Sequence, residues 1–343
     1  MHRDDDAAHA ATAATGLGAT EAAGTDGAAD PVMSGRYELG RMIGKGGMGE
    51  VVSAKDEQIG RRVAIKRIRG ESDAKSTARS MREARIQGQL EHPSIVPVYE
   101  LSRDAQGRPF FAMKQLAGAT LADIIGMALV EDPETLEKYP RPLLLRKFAE
   151  VCLAIEFAHS KQIIHRDLKP ANVMLGDFGE VYVLDWGIAK AVGDSTDIES
   201  GPSGDGTQTL VGAMIGTPGY MSPEQIRGDA DLDGRADVYS LGCILFEILA
   251  FDTLHPRGVK GLESATAGID ARPSRRAPER DIPPELDAVC VAACHADRAA
   301  RPLTARELGA MVQRYLDGDR DLAMRKELAA RELGAAKALL EGG

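Results

Sequence analysis

The chain has 343 residues, 43% of them hydrophobic and 27% charged, with a formal net charge of −10. That length is enough for a two-lobed domain with ample core, and the composition is that of an ordinary folded soluble protein. The acidic balance excludes a general nucleic-acid binder. The longest apolar run, Leu241 to Phe251, is broken by Glu247 and too short to cross a bilayer. At the N-terminus, Arg3 is followed by Asp4-Asp5-Asp6 with no apolar core, so nothing there reads as a signal peptide. Cys152, Cys243, Cys290 and Cys294 are scattered through apolar helical contexts. Cys290, Cys294 and His295 have no second ligand pair at metal spacing, so the four read as buried thiols of a reducing, cytoplasmic protein.

Residues 1–34 are rich in Ala, Gly, Thr and Asp and contain no aromatic side chain. Such a segment cannot bury enough apolar surface to offset its ordering entropy, and a disordered tail is expected. Order should begin at Tyr37. A strand through Leu39–Ile43 leads into Gly44-Lys45-Gly46-Gly47-Met48-Gly49, and the chain resumes as strand from Glu50 and Val51 to Ala54. Alone, G-x-G-x-x-G would also suit a dinucleotide-binding fold, but there the glycines open a helix. Here another strand follows, Arg62-Val63-Ala64-Ile65-Lys66, so the dinucleotide reading fails.

The pattern between Ala74 and Leu90 is helical and contains Glu83, with Glu71 in the loop before it and Glu91 after it. Strands are expected over Ile95–Glu100 and Pro109–Met113, closing a small antiparallel sheet. Beyond them come a short helix, Leu121–Leu129, and an acidic loop, Glu131–Pro142. A long amphipathic helix, Leu143–Ser160, carries Leu144, Phe148, Val151, Cys152, Ile155 and Ala158 at helical spacing, with a structural His159 near its end.

The most informative stretch runs from Ile163 to Lys190. It holds His165-Arg166-Asp167, then Lys169, Asn172 and Asp185-Trp186-Gly187. Asp177-Phe178-Gly179 lies in the same stretch but too soon after Asn172 for both to reach one ion. Val173-Met174-Leu175 and Val181-Tyr182-Val183-Leu184 read as two strands of a hairpin, which makes Gly176–Glu180 its turn. A long hydroxyl-rich segment then ends in Thr217-Pro218-Gly219-Tyr220-Met221-Ser222-Pro223-Glu224. Asp237 sits in the most apolar helix of the chain, and Arg301-Pro302 lies further on. Phe251–Asp281 is rich in Arg, Pro and Gly, with little room expected for a helix. A capped helix from Thr304 and Glu307 and a charged helix, Leu322–Leu340, close the chain.

These motifs, in this order, resemble those of bacterial eukaryotic-like (Hanks-type) serine/threonine protein kinases over about residues 36–316. The resemblance implies an α+β, bilobal fold: a small antiparallel-sheet lobe with one helix, and a larger, mainly helical lobe. The divisions expected are a tail (1–34), N-lobe and hinge (35–116), C-lobe (117–316) and a C-terminal helix (317–343). The implied reaction is transfer of the ATP γ-phosphoryl group to Ser/Thr hydroxyls of proteins, with Mg²⁺ and with Mn²⁺ able to replace it. By the same resemblance Asp167 orients the attacking hydroxyl, Lys169 steadies the γ-phosphate, and Asn172 and Asp185 bind the metal. Lys66, held by Glu83, reaches the α- and β-phosphates. Ile43, Gly44, Lys45, Gly46, Gly47, Met48, Gly49 and Val51 cover the nucleotide, with Ala64, Met113, Gln115, Leu116 and Met174 around the base. Lys114 opens the hinge, as a surface replacement for a usual acidic residue.

Thr217 is expected to bond Asp167 and Lys169, Asp237 to hold the catalytic loop, and Arg301 to pair with Glu224. His165 is expected to pack and hydrogen-bond behind the site. Thr207 and Thr209 are the candidates for autophosphorylation, with Arg166 as a cation for the added phosphate. Implied partners are protein substrates and, for trans-autophosphorylation, a second copy; no nucleic acid and no membrane segment are expected. Two rivals are a catalytically dead scaffold, to which only Trp186 in place of Phe points, and a small-molecule phosphotransferase. Every catalytic residue is present against the first, and the long loop ending in S-P-E, with Asp237 and Arg301, opposes the second.

Overall fold

Alternation of apolar residues in the N-terminal part of the chain builds one sheet with two different faces. The computed structural model describes residues 35–46, 49–67, 74–191, 216–318 and 322. Strands β1 (Tyr37–Gly46), β2 (Gly49–Asp56), β3 (Arg61–Arg67), β4 (Val98–Arg103) and β5 (Pro109–Lys114) form an antiparallel sheet in the order β1-β2-β3-β5-β4. Successive side chains point to opposite faces. Val51, Ala64, Phe111 and Met113 therefore meet Ala84 of helix α1 (Ala74–Gly88) on one face. Val52, Val63, Ile65, Phe110 and Ala112 pack around Tyr37 on the other.

The strand expected over Ile95–Glu100 begins only at Val98. Pro97 has no N–H to donate to a ladder. Ile95 instead makes a single parallel bridge to Val183, and the Val183 N–H donates to the Ser94 carbonyl at 2.8 Å. The start of β4 is thereby fastened to the other lobe.

Past β5 the chain turns through β6 (Gly118–Thr120) into α2 (Leu121–Leu129), which Thr120 and Asp123 cap reciprocally. Gly118 has φ +133°, and a Cβ there would run into the Leu175 carbonyl, so β6 lies this close to β8 (Val173–Gly176) only because no side chain intervenes. The expected loop Glu131–Pro142 contains a short helix, α3 (Pro133–Lys138). Asp132 accepts from the Thr135 N–H at 2.8 Å and Pro133 fills the first turn, a start signal hidden among acidic residues.

Helix α4 (Arg141–Ser160) delivers the chain to β7 (Ile163–Ile164), which pairs with β10 (Lys190–Ala191). Between them, β8 (Val173–Gly176) and β9 (Val181–Val183) form the expected hairpin. After α5 (Pro223–Arg227) comes α6 (Arg235–Ala250), buried at every position from Ala236 onward. A helix buried all round is the centre of a domain, and the large C-lobe core surrounds it.

The region Phe251–Asp281 holds more helix than its composition suggests: α7 (Val259–Ala267) and α8 (Pro273–Arg276). Gly258 and Gly268 bracket α7, which shows why a glycine-rich stretch concealed it. Helices α9 (Pro284–Ala293) and α10 (305–318) follow. The tail (1–34), Glu71, Gly47, Met48, Thr207, Thr209 and, apart from Leu322, the charged C-terminal helix lie outside the described residues. Among the described residues no helix is long and apolar enough to cross a membrane, and no cluster of His, Cys, Asp and Glu could hold a metal by itself.

Beside α6, His255 is buried between the Tyr239 hydroxyl, 2.7 Å from Nε2, and Ser264 Oγ, 2.8 Å from Nδ1. Burial, with the Arg276 charge, lowers its pKa from 6.5 to about 4. Between those values the unfolded chain binds a proton that the folded protein excludes, so stability falls as pH drops through this window. Denaturant titrations should show a loss on the order of 3 kcal/mol at most between the two ends. A His255→Asn variant should show a flatter slope between pH 6.5 and 5, with an unchanged slope contradicting this assignment.

Candidate active site

The site is built where the loop anchored to α6, the β8–β9 hairpin, β3 and α1 converge. Asp237, fully buried on α6, accepts at Oδ2 from the His165 N–H (2.8 Å) and at Oδ1 from the Arg166 N–H (2.9 Å). His159 Nε2 lies 2.8 Å from the same Oδ2. Burial pushes the Asp237 carboxyl up, but the His159 bond and the charges and amides around it outweigh that and hold its pKa below the usual range. Arg166 adopts φ +70°, a conformation that an L-residue rarely adopts and that these anchors stabilise.

The loop so fixed presents the residues singled out in the sequence. Lys169 Nζ lies 2.8 Å from Asp167 Oδ2 and 2.8 Å from Thr217 Oγ1. Thr217 donates to Asp167 Oδ1 at 2.5 Å, which closes a triangle of carboxylate, ammonium and hydroxyl. Asn172 Nδ2 donates to the Asp167 carbonyl at 2.9 Å. His165 accepts the Asp167 N–H at Nδ1 (3.3 Å) and so donates from Nε2 to the Leu184 carbonyl (3.1 Å). It braces the loop from behind through these two bonds.

Asp185 follows β9 with φ +58°, and its Oδ1 lies 3.9 Å from Lys66 Nζ. Desolvation raises its pKa, while the Lys66 charge, the Gly187 N–H and the Lys169 charge more than compensate and keep it low. Lys66 is bonded to Glu83, which is 2% exposed. Lys66, Glu83, Asp185, Asn172, Asp167, Lys169 and Thr217 thus line one cleft between the lobes. Asp177 is in the β8–β9 turn beside Phe178, which is 96% exposed, and its neighbour is Lys138 at 3.9 Å.

Ile43, Val51, Ala64, Met113, Leu116 and Met174 fall into one apolar cluster that roofs and floors this cleft. Gly44, Lys45, Gly46 and Gly49 occupy the β1–β2 turn above it. Gln115 Oε1 accepts from Ser53 Oγ at 2.8 Å. Tyr182 and Leu184 belong to the same cluster; the apolar run Val181–Leu184 marked a buried strand without showing which of its residues face the cleft. Lys114 is not a surface residue, since it is half-buried and bonded to the Tyr182 hydroxyl. Further out, Arg301 makes a buried, bidentate pair with Glu224 at 2.6 and 2.9 Å.

Trp186, the one tryptophan of the chain, is fully buried, with its ring 4.6 Å from that of His165. Its indole Nε1 has no acceptor among the described residues.

A family profile described as the protein kinase domain matches residues 37–311. The serine/threonine-protein kinase PknD of Chlamydia trachomatis serovar D is 36% identical in an alignment 313 positions long that covers 87% of this chain and 33% of that protein. A probable serine/threonine-protein kinase of Streptomyces coelicolor, SCO3848, is 37% identical in an alignment 294 positions long that covers 83% of this chain and 41% of the relative. The chain belongs to the protein kinase family. It spans 33% of the length of the PknD relative.

Trp186→Phe tests the buried indole. Loss of an unpartnered N–H, worth about 1–3 kcal/mol, opposes the cavity left by the smaller ring, so stability should stay within roughly 1 kcal/mol of the parent. A loss above about 3 kcal/mol in denaturant titration would mean that Nε1 does have a partner.

Proposed function

We propose that this chain is an ATP-dependent serine/threonine protein kinase, transferring the γ-phosphoryl group to Ser/Thr hydroxyls of protein substrates. One observation carries the reading: Asp167, Lys169 and Thr217 form a closed hydrogen-bonded triangle in the same cleft as the Lys66–Glu83 pair and Asp185. Catalysis of phosphoryl transfer is largely positioning and charge stabilisation, and these are the groups it requires. Asp167 orients the acceptor hydroxyl and takes its proton. Lys169 neutralises charge on the phosphoryl oxygens, and Lys66, held by Glu83, anchors the phosphates nearer the nucleoside.

Asn172 and Asp185 suit Mg²⁺, or Mn²⁺ in its place. A hard cation takes oxygen ligands, and Mg²⁺ typically uses one or two carboxylates with substrate phosphates and water. That habit matches a cleft with no all-protein metal cage among the described residues. When bound, the ion supplies charge neutralisation between the phosphates. The apolar cluster from Ile43 to Met174 would hold the base, with the backbone from Lys114 to Leu116 as its polar edge.

The domain division proposed is a tail (1–34), N-lobe and hinge (35–116), C-lobe (117–316) and C-terminal segment (317–343). Thr207 and Thr209 remain the proposed autophosphorylation sites, with a second copy as the partner for transfer in trans. Four free thiols fit a reducing, cytoplasmic setting.

Purified protein should be incubated with Mg²⁺-ATP and a generic Ser/Thr peptide, beside an Asp167→Asn variant, and phosphate mapped by mass spectrometry. Transfer should fall by ~10²–10⁴-fold in the variant, and chelation of Mg²⁺ should abolish it in both. Equal transfer by the variant would remove Asp167 from the chemistry. ATP binding without transfer to any acceptor would make the chain a binding module.

A further inference from the structure

Only a short backbone stretch, from the end of β5 at Lys114 to β6 at Gly118, carries the chain from the sheet to the helical lobe. Its first two residues are both fastened by their side chains, but to different lobes. Gln115 accepts from Ser53 on β2, the strand that leaves the glycine-rich turn, at 2.8 Å. Lys114 donates to the hydroxyl of Tyr182 on β9, and its ammonium lies 4.8 Å from the centroid of that ring. The Lys114 N–H also donates to the Pro97 carbonyl at 3.2 Å.

Tyr182 is only 5% exposed and packs in the apolar cluster of the cleft. Its register partner on β8 is Met174, and β9 leads directly into Asp185. The hydroxyl bond raises the Lys114 pKa, so the ammonium stays charged at neutral pH. A charge-assisted bond is among the stronger hydrogen bonds, and this one spans the pivot between the lobes.

We propose that Lys114 and Tyr182 form a brace across the hinge that sets the spacing of the sheet from the β8–β9 hairpin and thereby positions the nucleotide. This rests on the kinase reading above. Both are positioning residues: neither touches the transferring group. Loss of the brace lets the end of β5 separate from β9. The hinge backbone then meets the base less often in register, while Asp167, Lys169 and Asp185 keep their own anchors. The cost should therefore appear in nucleotide affinity and spare the transfer step.

Tyr182→Phe removes only the hydroxyl, and Lys114→Met removes the ammonium but keeps the stem. Each should raise KM for ATP roughly tenfold, with kcat within about twofold of the parent. The double variant should be no worse than either single one, because both break the same bond. Lys114→Arg, which keeps a cationic donor, should restore most of the affinity. Direct titration with a non-hydrolysable ATP analogue reads the same change without catalysis, so the brace is tested even if transfer fails in the parent. An unchanged affinity in Tyr182→Phe, strictly additive losses, or a fall in kcat at constant KM would overturn the proposal. Should Tyr182→Phe fold poorly, as a melting curve without nucleotide would reveal, Lys114→Met against Lys114→Arg decides.

Discussion

The buried carboxylate of Asp237 is the constraint on which the site depends. A fully buried anion is costly unless its oxygens are satisfied, and here two backbone N–H groups and one imidazole satisfy them. The same bonds fix the backbone at His165 and Arg166, immediately before Asp167. Gln225 on α5 adds a bond from Nε2 to the Arg166 carbonyl at 3.0 Å. The loop is therefore pinned at both backbone groups of one residue, Arg166, its N–H by the central helix and its carbonyl by the segment after Thr217. Arg166 can be held at positive φ because neighbours determine the backbone there, which is the usual circumstance in which strain persists at functional sites.

From that anchor the remaining geometry follows by short links. Thr217 reaches Asp167 and Lys169 because the chain around it is held in turn. Ser222 caps α5, Glu224 pairs with Arg301, and the Tyr220 hydroxyl donates to Glu247 at 2.6 Å. On the opposite wall, Glu83 brings α1 to Lys66, and the Lys66 charge helps keep Asp185 ionised. Charges of opposite sign alternate across the cleft, with Lys66 between Glu83 and Asp185 and Lys169 against Asp167. That arrangement is preorganised for a phosphoryl group without any large rearrangement of the described residues.

Much of this was legible in the sequence, for definite physical reasons. Asp185 could be preferred over Asp177 as the proposed metal ligand because a hairpin must fit between Asn172 and that carboxylate, and the strand-turn-strand pattern in between was clear. Asp237 and Arg301 were placed by the resemblance to the kinase family, which implied the partners that the structure gives them. What stayed hidden depended on tertiary partners or on weak local signals. Lys114 looked like a surface substitution because nothing within β5 reveals that the Tyr182 hydroxyl lies beside it. The short helices α3 and α7 were masked by acidic and glycine-rich composition, and the late start of β4 turned on one missing N–H at Pro97. In each case the local pattern was real and a contact from elsewhere in the chain, or one capping side chain, decided the outcome.

The most direct measurement is a crystal structure of the chain with Mg²⁺ and a non-hydrolysable ATP analogue. The account predicts oxygens of Asn172 and Asp185 at ~2.0–2.1 Å from the ion, with Asp167 still bonded to Thr217 and Lys169. Asp177 should remain in its turn, away from the nucleotide. An ion held by Asp177, or one that touches neither Asn172 nor Asp185, would contradict it.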